Sequence, residues 1–242
     1  IDTGTTRIGF LTNELTKVVK KIHDSEWLII DGIFSHFASS EDDAVFTKKQ
    51  SMTFNQVLEI LKNNKINPPI KHMACTAASL TTKLNGLNAV RLGLGLYGLY
   101  PEKKLKSRIN LKPALTWKTK IIQIKNLPPN TGIGYGSTHK TKKKTKIAVI
   151  PVGYWDGYDR GYSNKTKVLI KKNLCPIRGR ICMNLSMVEL PLNTKIKNNE
   201  EVILLGNNRK EITADFLANS IETINYEITT RINPLTKRIK TK

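Results

Sequence analysis

The feature that most restricts the fold of this chain is a rhythm in its first hundred residues, in which apolar runs ending on polar residues alternate with helical periods. The run "WLIIDGIFSHF" at 27 to 37 is dense in Ile and Phe and predicts a buried strand ending near His36. A helical pattern covers about 42 to 63, and "NPP" at 67 to 69 stops it. "IKHMACTAASL" then predicts a short strand running into a helix near Ala77, and "NAVRLGLGLYGLY" another short strand with glycines just after Arg91. Ahead of these, Leu11, Leu15, Val18, Val19 and Ile22 recur at helical spacing and predict an amphipathic helix over 11 to 23. Strand and helix in this alternation make parallel βα units with right-handed crossovers, as in a barrel or an open α/β sheet.

After Pro101 the texture changes. A charged stretch, "PEKKLKSRINLKP", leads into short β-rich segments such as "KIAVIPVGY", "TKVLIKK" and "EEVILLG", separated by turn residues. One later helix is predicted, "TADFLANSI" at 213 to 221, with Thr213 as its N-cap. A domain boundary therefore falls near 101 to 112.

Composition excludes several classes of function. No apolar run is long enough to span a membrane, and the first 25 residues carry too many charges for a secretory leader, so a soluble cytoplasmic protein is expected. Cys75, Cys175 and Cys182 show no zinc-ligand spacing, so neither a metal site nor a disulfide framework is expected. A net charge of +21 invites a nucleic-acid reading. Yet 31 of the 40 basic residues are Lys, they are scattered, and the densest run, "HKTKKKTK" at 139 to 146, has no interleaved aromatics for base stacking. Solvated faces explain that pattern better than a nucleic-acid groove.

The polar residues at the strand ends carry the chemistry. His36, Thr76 and Arg91 each end a predicted parallel strand, the face on which barrels build active sites. Gly93 and Gly95 follow Arg91 and allow backbone amides to approach a phosphate. Structural alternatives exist: a histidine at a strand end can be satisfied internally, and Thr76 can cap the helix after it. An Arg deep in a βα face, by contrast, must find an anion or a strong acceptor. In the β-rich half, "GIGYGSTH" at 132 to 139 holds Tyr135 between two glycines, "GYWDGYDRGY" covers 153 to 162, and "CPIRGRICMNLSMVEL" sets Arg180, Cys182, Met183 and Asn184 in a glycine-turned corner. An activated Cys182 thiolate lacks an identified histidine partner.

In order, "DTGTTRIGF", "HFASSED", "HMACTAASL", "VRLGLGLYGLYP", "GYGSTH", "PVGYWDGYDR" and "GRICMN" resemble motifs of the alanine racemase family, fold-type III pyridoxal phosphate enzymes. The resemblance implies an α/β fold with a partial (β/α)8 TIM barrel over 1 to 111, followed by a mostly β domain over 112 to 242. It implies pyridoxal 5'-phosphate as cofactor and interconversion of L- and D-alanine by two bases, supplying D-alanine for peptidoglycan. Tyr135 would be one base, with His36 and Arg91 supporting it and Arg91 also donating to the cofactor's pyridine nitrogen. Thr76, Gly93 and Leu94 would hold the cofactor phosphate, and Arg7 with the Met183 N–H the substrate carboxylate. Tyr154, Arg160, Arg180 and Glu41 would line the entry corridor. A homodimer with active sites shared between subunits is implied, without nucleic acid or membrane.

Some positions depart from the pattern: Asn184 stands where Asp is usual, Thr76 for Ser, Cys75 for Asn, Glu41 for Asp, and His139 for a Tyr. No lysine lies in a motif like that of the family's Schiff-base lysine, so the chain is expected to be the C-terminal part of a racemase, inactive alone and prone to aggregate through open sheet edges. The alternatives are a non-enzymatic pyridoxal phosphate-binding protein, which would lack the β-rich half, and a related racemase or decarboxylase, whose own motifs are not visible.

Overall fold

Asp43 sets where the longest helix begins: from an extended backbone its carboxylate accepts the Phe46 N–H at 2.8 Å, and the chain winds from Ala44. The computed structural model describes residues 1–83 and 85–241, which divide into two units, Ile1–Lys112 and Pro113–Lys242.

In the first unit, helices α1 (Leu15–His23), α2 (Ala44–Asn63) and α3 (Thr76–Thr81) accompany strands β1 (Gly32–Phe34) and β2 (Ile70–His72). The two strands pair in parallel, with Phe34 opposite His72, and a single bridge from His72 to Ala89 extends the sheet. Leu15 and Val19 on α1, four apart, and Phe54, Val57 and Leu61 on α2 turn one face of each helix onto Ile33, Phe37, Met73 and Ala74. Each large side chain buried here contributes about 1.5–3 kcal/mol.

Three expectations change. The strand expected over 27 to 37 shrinks to Gly32–Phe34, and Trp27 and Ile29 are about 90% and 91% exposed. β1 bonds to β2 along one edge and to no other strand among the described residues, and Trp27 to Ile29, short of the pairing, have neither ladder nor cover. The strand expected around Arg91 is reduced to the bridge at Ala89, followed by a 3₁₀ turn over Leu94–Tyr97. The barrel is met only in its local form: parallel pairing around an intervening helix, with no closed barrel among the described residues.

The second unit is antiparallel. Its strands are β3 (Trp117–Lys120), β4 (Gln123–Leu127), β5 (Gly132–Ile133), β6 (His139–Lys140), β7 (Thr145–Ile150), β8 (Lys167–Ile170), β9 (Asn173–Pro176), β10 (Ser186–Leu190) and β11 (Glu201–Leu205). They form sheets ordered β10-β7-β4, β3-β11-β8-β9 and β5-β6. Ile147, Ile150, Val168, Ile170, Val188, Val202 and Leu204 are buried, as is Tyr158. The Tyr158 ring meets Trp117 edge-on at 6.0 Å and Tyr162 at 5.0 Å, and burial pushes its hydroxyl up to about 12. Helix α4 (Ala214–Ser220) starts as expected, with the Thr213 hydroxyl accepting the Phe216 N–H at 3.3 Å. Helix α5 (Asn225–Thr230) is not anticipated; six residues are too few to display a period. Among the described residues no helix is long and apolar enough to cross a membrane, no cluster of three metal-ligating side chains forms, and the three cysteines remain thiols.

Candidate active site

Arg91 is the centre of the polar cluster in the first unit. One terminal nitrogen, Nη2, donates to His36 Nδ1 at 2.8 Å, to the Ser35 carbonyl at 2.9 Å and to the Met73 carbonyl at 3.2 Å. The other, Nη1, donates to His72 Nδ1. The guanidinium carbon lies 5.4 Å from the centre of the Phe34 ring, which stacks on the His72 ring at 5.2 Å and 5°. No carboxylate pairs with Arg91 among the described residues, and its Nε–H meets no acceptor there.

An Arg has only donors, so both Nδ1 atoms must be acceptors and both imidazoles carry their proton on Nε2. The electrostatics agree. Burial, reinforced by the Arg7 and Arg91 charges, holds His36 below the ordinary histidine range. Burial and Arg91 do the same to His72. Burial lowers Arg91 as well, against the opposing influence of Cys75, but a guanidinium starts so high that it stays charged. The result is a lasting cation held by two neutral rings and two carbonyls.

Beside it lies a set of neutral donors. Thr76 opens α3, but the capping position belongs to Cys75, and the buried Thr76 hydroxyl instead accepts the Gly93 N–H at 3.2 Å and the Gly95 N–H at 3.3 Å. A hydroxyl has two lone pairs and one hydrogen. With both lone pairs engaged, the Thr76 O–H is left to donate, and it has no acceptor among the described residues. Leu94 begins the following turn, where its N–H has no partner inside the turn and none outside it among the described residues. Open space surrounds the position a Cβ on Gly93 would take. Unengaged O–H and N–H donors around an open glycine suit a phosphate, and the uncompensated Arg91 suits a ring nitrogen, so these residues fit pyridoxal phosphate.

Arg7 is exposed and close enough to His36 and Arg91 for its charge to act on both. Its segment is anchored by the Thr5 hydroxyl donating to the His36 carbonyl at 2.6 Å. Glu41 stands apart from that cluster: its carboxylate accepts the Ser40 hydroxyl at 3.2 Å, and its carbonyl accepts the Lys104 ammonium.

In the second unit, Tyr135 sits in a 3₁₀ turn and is 72% exposed. Gly134 and Gly136 flank it at φ 69° and 68°, conformations that disfavour any residue with a Cβ. A Cβ on Gly134 would lie 3.2 Å from the Arg180 nitrogen, so Tyr135 and Arg180 share one corner. A second corner joins Tyr154 to Met183. Tyr154 N–H donates to the Cys182 carbonyl and Trp155 N–H to the Met183 carbonyl, both at 3.0 Å. Met183 is 53% exposed, and its own N–H has no acceptor among the described residues. Arg160 and Tyr154 line a surface hollow of about 410 Å³ with Asp159 and Arg231. The Cys182 sulfur rests 3.7 Å from the Arg180 carbonyl, and no imidazole hydrogen-bonds to it among the described residues.

His72 is the residue that sequence reasoning passed over. Its signal was present, a histidine one strand-length before the Thr76 segment, but only the register opposite Phe34 reveals its place on Arg91.

Along most of its length the chain is similar to known alanine racemases. Residues 1–101 match the family model "Alanine racemase, N-terminal domain" and residues 114–240 the model "Alanine racemase, C-terminal domain". The chain is similar to the alanine racemase of Halothermothrix orenii, 44% identical over 230 residues, covering 94% of this chain and 61% of the relative. It is also similar to that of Methylacidiphilum infernorum, 43% identical over 239 residues, covering 98% and 60%. Among solved structures, alanine racemase from Bacillus anthracis with bound L-Ala-P superposes with a TM-score of 0.88 at 34% identity, covering 96% of this chain and 61% of that one. Alanine racemase from Bartonella henselae with covalently bound pyridoxal phosphate gives 0.84 at 27% identity, covering 99% and 64%. The chain thus spans about three-fifths of the length of the curated relatives it matches.

Proposed function

The chain belongs to the alanine racemase family, and on that premise we propose that it carries much of the machinery of a pyridoxal 5'-phosphate-dependent enzyme interconverting L- and D-alanine. The observation that carries this reading is Arg91: a cation without a carboxylate, gripped by neutral acceptors, with its Nε–H unengaged. Pyridoxal phosphate, when bound, supplies an electron sink for the α-carbon of an amino acid.

The roles of the residues follow from their donors and charges. The Thr76 O–H and the Leu94 amide hold the phosphate by neutral hydrogen bonds, and Gly93, whose own N–H is spent on Thr76, leaves the room the phosphate needs. Arg91 can only donate, so a ring nitrogen facing it stays unprotonated, which keeps the sink weak and favours prompt return of the proton to the α-carbon. Tyr135 removes or delivers that proton at its phenolic oxygen on one face of the substrate, and His36 supports Arg91. Arg7 and the Met183 N–H hold the substrate carboxylate, charge-assisted in the case of Arg7. Tyr154, Arg160, Arg180 and Glu41 guide the approach. A second copy of the chain supplies Tyr135 and Met183, so the working form is a homodimer in the cytoplasm. In this reading residues 1–111 are part of the cofactor-binding barrel and 112–242 its β-rich companion. D-Alanine for peptidoglycan is the product.

In this reading none of the chain's lysines stands in a motif like that of the family's Schiff-base lysine, so the 242 residues are not expected to racemise alanine by themselves. The test joins them to the segment of the Halothermothrix orenii enzyme that lies outside the match and follows D-alanine formed from L-alanine. Racemisation is expected in this chimera, and Tyr135→Phe should lower it by about 10²-fold or more while cofactor absorbance persists. A chimera that binds the cofactor without racemising alanine sinks the reading, and full activity in Tyr135→Phe sinks the role of Tyr135.

A further inference from the structure

We propose that His72 is a positioning residue for Arg91, the second of two neutral imidazoles that together aim the guanidinium. His36 and the Ser35 and Met73 carbonyls hold Nη2 only, which leaves the plane of the fork free to tilt about that end. His72 Nδ1 takes Nη1 at the other end. The Phe34 ring, stacked against His72, lies against the guanidinium, so one strand pair supplies both the lateral and the facial contact. Of the five N–H groups in the rigid fork, only Nε–H and one hydrogen of Nη1, which point to opposite sides, are left unengaged among the described residues.

The chemistry of the two clamps matters as much as their placement. A carboxylate at position 36 or 72 would form a bidentate pair with the guanidinium and neutralise its charge within the site. Imidazole nitrogens accept the hydrogen bonds without taking the charge, so the full positive field remains for whatever acceptor meets the unengaged Nε–H. His72 thus sets the direction of the Arg91 donor, and its neutrality preserves the donor's strength. This inference rests on the reading that the unengaged Nε–H meets the cofactor's ring nitrogen.

The test uses the chimera with the Halothermothrix orenii segment, labelled with ¹⁵N at histidine. Both Nδ1 resonances, of His72 and His36, are expected in the unprotonated form with Nε2 protonated. His72→Leu removes the acceptor; the His36 tautomer is expected to become mixed and pyridoxal phosphate affinity, read by absorbance, to fall about 10-fold or more, in keeping with loss of a hydrogen bond to a charged group. His72→Gln, whose carbonyl oxygen can accept, is expected to restore both. A proton on Nδ1 of His72 overturns the proposal, as does a His72→Leu protein whose His36 tautomer is unmoved. If the unsubstituted chimera takes up no pyridoxal phosphate, the cofactor reading fails by itself and the tautomer measurement decides the role of His72.

Discussion

Thr76 and Gly95 should be coupled through a single methyl group. A Cβ added to Gly95 would fall 2.9 Å from Thr76 Cγ2, against 3.5 Å from Oγ1 and 3.8 Å from Cβ. Thr76 cannot turn away cheaply, because its buried hydroxyl accepts the Gly93 and Gly95 amides. Gly95→Ala must therefore overpack the contact, at about 1–3 kcal/mol, or break two hydrogen bonds at about 1 kcal/mol each. Both routes put the cost near 2 kcal/mol. In a Thr76→Ser background Cγ2 is gone and the nearest remaining atom is an oxygen at ordinary contact distance. There the same alanine should cost less than about 0.5 kcal/mol, since loss of a glycine in a turn also reduces unfolded-state entropy. The double-mutant cycle should give a coupling of about 1.5 kcal/mol or more. Amide hydrogen exchange at Leu96 and Gly98, whose N–H groups bond to the Gly93 and Gly95 carbonyls at 3.0 and 3.1 Å, reads the local opening energy. Equal costs of Gly95→Ala in the two backgrounds refute the reasoning.

In the second unit Gly153→Ala should destabilise by about 3 kcal/mol or more, because its Cβ would meet the Cys182 oxygen at 2.1 Å and the Met183 oxygen at 2.3 Å, the two acceptors that hold Tyr154 and Trp155. Urea unfolding followed by tryptophan fluorescence measures it, and an unshifted midpoint would contradict the placement. Stability should also fall as the pH drops below about 6.5. His36, His72 and His139 are all held below that value in the fold, chiefly by burial, so the unfolded chain binds more protons through the window below it. Their contribution is complete above the unfolded value and is lost as the pH falls through the folded ones. Thermal melts at pH 5 should lie below those at pH 7.5, with a smaller difference after His72→Gln; identical melts at the two values would rule the linkage out.

What sequence could convey divides by range. The extent of α2 and the Thr213 cap before α4 were legible because a period and a cap are local properties, decided within about four residues. The apolar run before Gly32 misled because burial depends on a covering neighbour, and Trp27 has none among the described residues. His36, Thr76 and Arg91 were found by their places at strand ends, and two of them, His36 and Arg91, share a hydrogen bond. His72 was missed because its value comes from a partner 19 residues away across a parallel pairing that the sequence does not specify. The corner joining Tyr154 to Met183 was legible only as an excess of glycine at 153; its reason, two carbonyls in the way of a Cβ, is a contact across the chain.

That corner also has a mechanical meaning. Residues 154–155 and 182–183 are laced by two backbone rungs and pressed together at a glycine too tight to give, so they behave as one lever rather than two loops. The Met183 N–H cannot be re-aimed without swinging the Tyr154 ring with it. On the proposed reading, grip on the substrate's carboxylate and width of its passage are then one setting, and selection for a roomier entrance would loosen the hold at the same stroke.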